Sequence, residues 1–141
     1  RRGRPGASRA LRSTRFGRIL APMADRLWAV RGAVQAERDE AEAILAATRE
    51  LVSELMERNG LAPEDFVSVI FTTTADLSAE FPAELGLDRV PLLCAREMEV
   101  PGSMPRVIRL MAHYYAPADH QPAHTYIGVT QKLRADLHAA Q

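Results

Sequence analysis

Two arginines and one glutamate stand where apolar residues would be expected. Arg31 lies in WAVRGAV, Arg109 in RVIRLM between Ile108 and Leu110, and Glu97 in VPLLCAREME, all among residues of strand character. A charged side chain inside a strand that otherwise reads as core is costly unless something pairs with it. Three such charges in one small domain predict a polar pocket for an anionic, hydroxyl-bearing ligand. Plainer readings stand beside this one. Arg31 fits a surface arginine at a strand end, Arg109 fits a structural ion pair with Glu97 or Glu99, and the two glutamates fit a solvated loop face.

Other chemistries find little footing. Cys94 reads as a small buried hydrophobe, since no base motif accompanies it. His113, His120 and His124 have no recognisable partner spacing, and no His/Cys/Asp pattern matches a metal-ligand set. There is no Gly-rich phosphate loop and no dinucleotide fingerprint. Tyr126 in HTYIGV reads by default as an ordinary strand aromatic.

The elements that must position the charged residues follow from periodicity. Leu27–Val34 alternates, with Trp28, Val30 and Gly32 on one face and Ala29, Arg31 and Ala33 on the other, as a strand requires. Asp39 with Glu42 predicts a capping box opening a helix. Ile44, Leu45, Thr48, Leu51, Val52, Leu55 and Met56 then form one apolar stripe at helical spacing, and Asn59-Gly60 ends it. Phe66–Thr73 is β-branched and aromatic and reads as a buried strand. Ser78 opens a short helical or irregular piece, Val90–Ala95 is a short strand, Val107–Tyr115 a long one, and His124–Thr130 a last one. A short helical turn is expected in the tail. The predicted class is α+β, a mixed β-sheet packed with one long helix and short helical turns. One helix covers only part of one sheet face, so Arg31 and Arg109 on the other side point to subunit association.

Composition sets outer limits. The 141 residues, 47 % of them hydrophobic, suit one domain with a real core. Eighteen basic residues balance eighteen acidic ones, but residues 1–22 hold seven arginines and no acid. The rest, eleven basic against eighteen acidic, carries a net charge of about −7. An acidic body argues against nucleic-acid binding. A single cysteine excludes an internal disulfide and suits a reducing cytoplasm, and no apolar run approaches the roughly 18 residues of a membrane span. Residues 1–22 are read as a disordered extension, a transit-type peptide or, the favoured reading, translated sequence upstream of a start at Met23, with the domain at 23–141.

In combination, the words VRGAVQAERDE, VSVIFTTTADLSAEFPAE, VPLLCAREMEVPGSMPRVIRLM and HTYIGVTQKLRADL resemble the monofunctional chorismate mutases of the AroH type. They span nearly all of residues 29–137, and their order is specific where each word alone would be weak. The resemblance implies a trimeric pseudo-α/β barrel that turns chorismate into prephenate in aromatic amino-acid biosynthesis, without cofactor or metal. It implies a cytoplasmic homotrimer with active sites at subunit interfaces, and no nucleic-acid or membrane partner. On the matching positions it implies that Arg31 grips a substrate carboxylate and that Glu97 accepts a hydrogen bond from the substrate hydroxyl. Cys94 then contacts that hydroxyl region and Leu93 lines the pocket. Arg109 approaches the ether oxygen and one carboxylate, and Tyr126 contacts a carboxylate. Phe81 reaches over from the neighbouring subunit, while Leu133 and Arg134 close the mouth.

One departure from the family pattern bears on affinity. Members commonly carry an arginine six residues after the FPA phenylalanine. Here that position is Leu87, and FPAELGLDRVP is about four residues, roughly one helical turn, shorter. Arg89 immediately precedes the VPLL strand and does not inherit the role. The expectation is a weak KM with ordinary turnover. The rival readings are a trimeric imine deaminase of the RidA type or a non-catalytic small-metabolite binding module. The CxxE word and the helix opened by ERD stand against them.

Overall fold

The structure, a computed structural model, describes residues 24–82 and 86–134. The Arg-rich extension, residues 83–85 and the tail from 135 to 141, with the helical turn expected there, lie outside the described residues.

Alternating apolar residues build five strands: β1 (Asp25–Gln35), β2 (Phe66–Thr73), β3 (Leu92–Arg96), β4 (Val107–Pro117) and β5 (Thr125–Tyr126). One helix, α1 (Ala41–Asn59), follows β1. The strands lie in the order β3-β2-β4-β1-β5. β4 runs antiparallel to both β1 and β2, while β3 is parallel to β2 and β5 parallel to β1. This is the mixed sheet of an α+β fold.

The two sheet faces differ. Val30 and Val34 of β1, Val69 and Phe71 of β2, and Ile108, Leu110, Ala112 and Tyr114 of β4 are buried with Ile44, Leu51, Val52 and Leu55 of α1. Their alternate neighbours face away from the helix. On that open face Leu27, Leu93, Met111 and Tyr115 are exposed, an apolar surface with Arg31 and Arg109 among it.

Two sequence expectations are corrected. Asp39 and Glu42 form no capping box, because the helix N-cap is Glu40 and makes no side-chain cap. The Asp39 carboxylate instead accepts hydrogen bonds from Ser78 and Ala79, 39 and 40 residues away. The last strand is only Thr125–Tyr126, since Gly128 turns the chain at φ 58° into a 3-10 segment, Gly128–Arg134. There Thr130 Oγ donates to Ala33 and Ile127 carbonyls, replacing ladder hydrogen bonds. The described residues after Ser78 are irregular, one of the two forms expected there. At the end of α1 Gly60 takes the left-handed conformation, φ 63°, as Asn59-Gly60 predicts. Leu87 is 1 % exposed and belongs to the core, which accounts for an apolar residue there.

Gly32 fixes how β5 docks. A Cβ built at Gly32 would lie 2.8 Å from Leu51 Cδ1 and 2.8 Å from the Thr125 carbonyl oxygen, so glycine lets α1 and β5 both close on β1. Gly32→Val is expected to lower unfolding free energy by ~1–3 kcal/mol through overpacking. Urea denaturation checks this, and an unchanged midpoint would refute the close approach.

Candidate active site

Register carries the candidate residues to one place. Thr72 of β2 pairs with Arg109 of β4, Arg109 with Ala33 of β1, and Ala33 with Tyr126 of β5, so these side chains form one row across the open face. The adjoining row holds Leu93, Ile70, Met111 and Arg31. Arg134 arrives from the 3-10 segment. Arg31, Ile70, Thr72, Arg109, Met111, Tyr126 and Arg134 line a cavity of about 280 Å³. Arg31, Arg109, Tyr126 and Arg134 are thus brought together on one cavity.

Glu97 joins them from the end of β3. Its Oε1 lies 2.7 Å from Arg109 Nε and accepts a 2.8 Å hydrogen bond from the Thr72 hydroxyl. The backbone N–H of Glu97 donates to the Thr73 carbonyl, continuing the β2–β3 ladder by one step. The ion pair is close, but the Nε–H is not aimed along a hydrogen bond, and this buried nitrogen has no aligned acceptor among the described residues. The contact is therefore read as electrostatic. It engages Nε alone, and the guanidinium carries further N–H donors on its two terminal nitrogens.

Two residues that sequence reasoning missed complete the geometry. Thr72 follows buried Phe71, and strand alternation alone was the signal that put it on the open face. The Arg31 backbone N–H donates to His124 Nδ1 at 3.0 Å, so that nitrogen is an acceptor. Burial, with the charges of Arg31 and Arg134 adding to it, pushes the His124 pKa below its usual value, consistent with a neutral ring.

The remaining predicted residues lie apart within one chain. Cys94 is three residues before Glu97, and odd spacing in an extended segment turns the two side chains to opposite sides. Cys94 is exposed rather than a buried hydrophobe, because β3 is the edge strand of the sheet, and it lines a second depression, about 350 Å³, with Thr73, Leu77, Phe81, Pro82 and Arg96. Phe81 is 70 % exposed there. Partial desolvation in that depression raises the Cys94 thiol pKa, so it remains a protonated thiol at neutral pH. Leu93 is exposed on the open face beside Ile70, and Leu133 is half-buried next to Arg134.

Cations with a phenol and a carboxylate thus gather on the open sheet face, a chemistry suited to a small polyanion. No group of three or more His, Cys, Asp or Glu suited to a metal occurs among the described residues. The sequence profile of the type I chorismate mutases matches residues 27–137. The chain is 48 % identical to the chorismate mutase AroH of Thermus thermophilus, over 79 % of this chain and 97 % of that protein. It is 38 % identical to the chorismate mutase AroH of Bacillus subtilis, over 77 % of this chain and 90 % of that one. A solved chorismate mutase structure from Clostridium thermocellum superposes with a TM-score of 0.69 at 38 % identity, covering 74 % of this chain and 98 % of that one. The chain belongs to the type I chorismate mutase family.

His124 yields a pH prediction. Its folded pKa is depressed, so as pH falls below about 6.5 the unfolded chain takes up the proton first and stability declines. His124→Asn keeps an acceptor near the Nδ1 position but does not titrate. The stability difference between wild type and variant should shift against wild type on going from pH 7.5 to 5. A pH-independent difference would show that His124 is not held neutral.

Proposed function

We propose that the reaction which family membership gives this chain, isomerisation of chorismate to prephenate, runs in the arginine-lined cavity with Arg109 as principal catalytic group. The observation that carries this reading is Arg109 in mid-strand, its Nε 2.7 Å from Glu97 Oε1, lining the same cavity as Arg31, Tyr126 and Arg134. The reaction is one intramolecular pericyclic step and needs no nucleophile, metal or cofactor. The first task is to hold the dianion in the compact conformer that brings its reacting carbons together. Arg31, with Tyr126 and Arg134, takes the carboxylates, for which planar guanidinium groups are suited. As the C–O bond breaks ahead of C–C formation, negative charge grows on the ether oxygen. The fixed Arg109 guanidinium then stabilises the transition state more than the ground state. Glu97 Oε1 is engaged by Thr72 and Arg109, so its second oxygen receives the substrate hydroxyl.

The site is shared between copies in this reading. Phe81 and Cys94 occupy a separate depression, and the open face exposes Leu27, Leu93, Met111 and Tyr115, which favours a closed ring in which that depression meets the next copy's cavity. A homotrimer is the assembly we assign, working in the cytoplasm in aromatic amino-acid biosynthesis. Leu93 lines the seam and Leu133 with Arg134 the mouth. With Leu87 in the core, that position offers no cation, which fits a weak KM with ordinary turnover. The profile and relatives do not favour the imine-deaminase or binding-module readings.

Purified protein should consume chorismate and release prephenate. Arg109→Gln should lower kcat by ~10²–10³ without altering assembly, the usual worth of one preorganised donor. Undiminished turnover in that variant would overturn the assignment. Analytical ultracentrifugation coupled to assay should find activity only in the oligomer, and a fully active monomer would contradict the shared site.

A further inference from the structure

We propose that Asp39 is a positioning residue for this reaction that acts across the subunit boundary, by holding the segment that delivers Phe81 to the adjoining copy's site. The inference rests on the shared-site reading above. Phe81 is 70 % exposed. The segment that carries it is irregular, between buried Leu77 and buried Pro82. The hydrogen bonds on Ser78 and Ala79 come from one carboxylate. Asp39 Oδ1 accepts the N–H groups of Ser78 at 2.9 Å and Ala79 at 3.0 Å, and Oδ2 accepts the Ser78 hydroxyl at 3.1 Å.

These are charge-assisted bonds, stronger than neutral ones, and two of them bind consecutive backbone amides, which fixes direction as well as place. The carboxylate pKa is held below its ordinary value by the Ser78 and Ala79 N–H groups, as that geometry requires. Asp39 makes no contribution to capping α1, whose N-cap is Glu40, so the bonds to Ser78 and Ala79 are its evident task. A second anchor ties the same turn to the chain's own site: Asp76 accepts the Arg106 N–H at 2.9 Å, three residues before Arg109. Asp76 thus ties the turn to the chain entering β4, while Asp39 holds the residues that lead to Phe81.

The test separates the two directions. In kinetics, Asp39→Ala should raise KM for chorismate by ~5–20-fold with kcat within about threefold, the scale of losing charge-assisted bonds that orient a binding group. Asp39→Asn, which keeps an acceptor for the amides, should restore most of the affinity. An unchanged KM in Asp39→Ala overturns the proposal. Co-expression then pairs Asp39→Ala chains with Arg109→Ala chains under different tags, and oligomers carrying both tags are isolated. In a mixed trimer about one site in three joins an intact Arg109 half to an intact Phe81 half, so wild-type KM reappears in that fraction. Phe81→Ala paired with Arg109→Ala is the control.

Recovery in both pairs supports the inference. Recovery with Phe81→Ala but not with Asp39→Ala overturns the role of Asp39 and leaves the shared site standing. Recovery with Asp39→Ala alone overturns Phe81 as the group it acts through. Recovery in neither overturns the shared-site reading itself. Should Asp39→Ala fail to fold, Asp39→Ser replaces it, with the same outcomes.

Discussion

Arg109 stands in the middle of β4, between buried Ile108 and Leu110, with its Nε 2.7 Å from Glu97 Oε1. A guanidinium in that position needs a counter-charge, and the carboxylate needs a way to reach it. The sheet provides both. β3 lies parallel to β2, so the chain leaving β3 brings Glu97 up beside Thr72, and Thr72 pairs directly with Arg109. The Thr72 hydroxyl then holds the carboxylate in place. Helix packing on the far face, the glycine that admits β5 and the 3-10 segment that carries Arg134 all serve the same open face. Their common effect is to gather Arg31, Arg109 and Arg134 on one cavity, with Arg109 held by Glu97 before any ligand arrives, as the proposed electrostatic catalysis requires.

The two-sided character of a strand separates the candidate residues. Residues an odd number apart in an extended chain face opposite ways, so Cys94 and Glu97 cannot address one pocket from one short strand end. In the ring of copies proposed above, the face that one chain turns outward would form a wall of its neighbour's cavity. A small α+β domain would thereby gain a closed pocket without a longer chain. In that proposed assembly the apolar residues on the open face and the exposed Phe81 ring would be interface residues.

Much of this was legible in the sequence. The period-two alternation around Arg31 and Arg109 gave both the strands and the face on which the charges lie, because a misplaced arginine disturbs an otherwise regular pattern. The α1 stripe and its Gly60 stop read correctly for the same local reasons. What failed depended on distant partners. Asp39 has the right type and spacing for a capping box, but its bonds go to amides 39 and 40 residues on, which no local pattern reports. His124–Thr130 has strand composition, yet Gly128 and the Thr130 hydroxyl turn it away from the ladder. Thr72 and His124 matter to the site through single hydrogen bonds, and neither leaves a periodic trace.

The central claim is that Arg109, held by Glu97, acts on the transition state more than on the substrate. A rigid bicyclic dicarboxylate shaped like the cyclic transition state measures this directly. Its inhibition constant should be determined for wild type and for a set of substitutions at Arg31, Thr72, Glu97 and Arg109. The account predicts that the logarithm of that constant follows the logarithm of KM/kcat with a slope near one, while KM alone does not follow it. An inhibition constant that tracks KM instead, and stays indifferent to Arg109, would mean that the pocket binds its ligand without favouring the transition state.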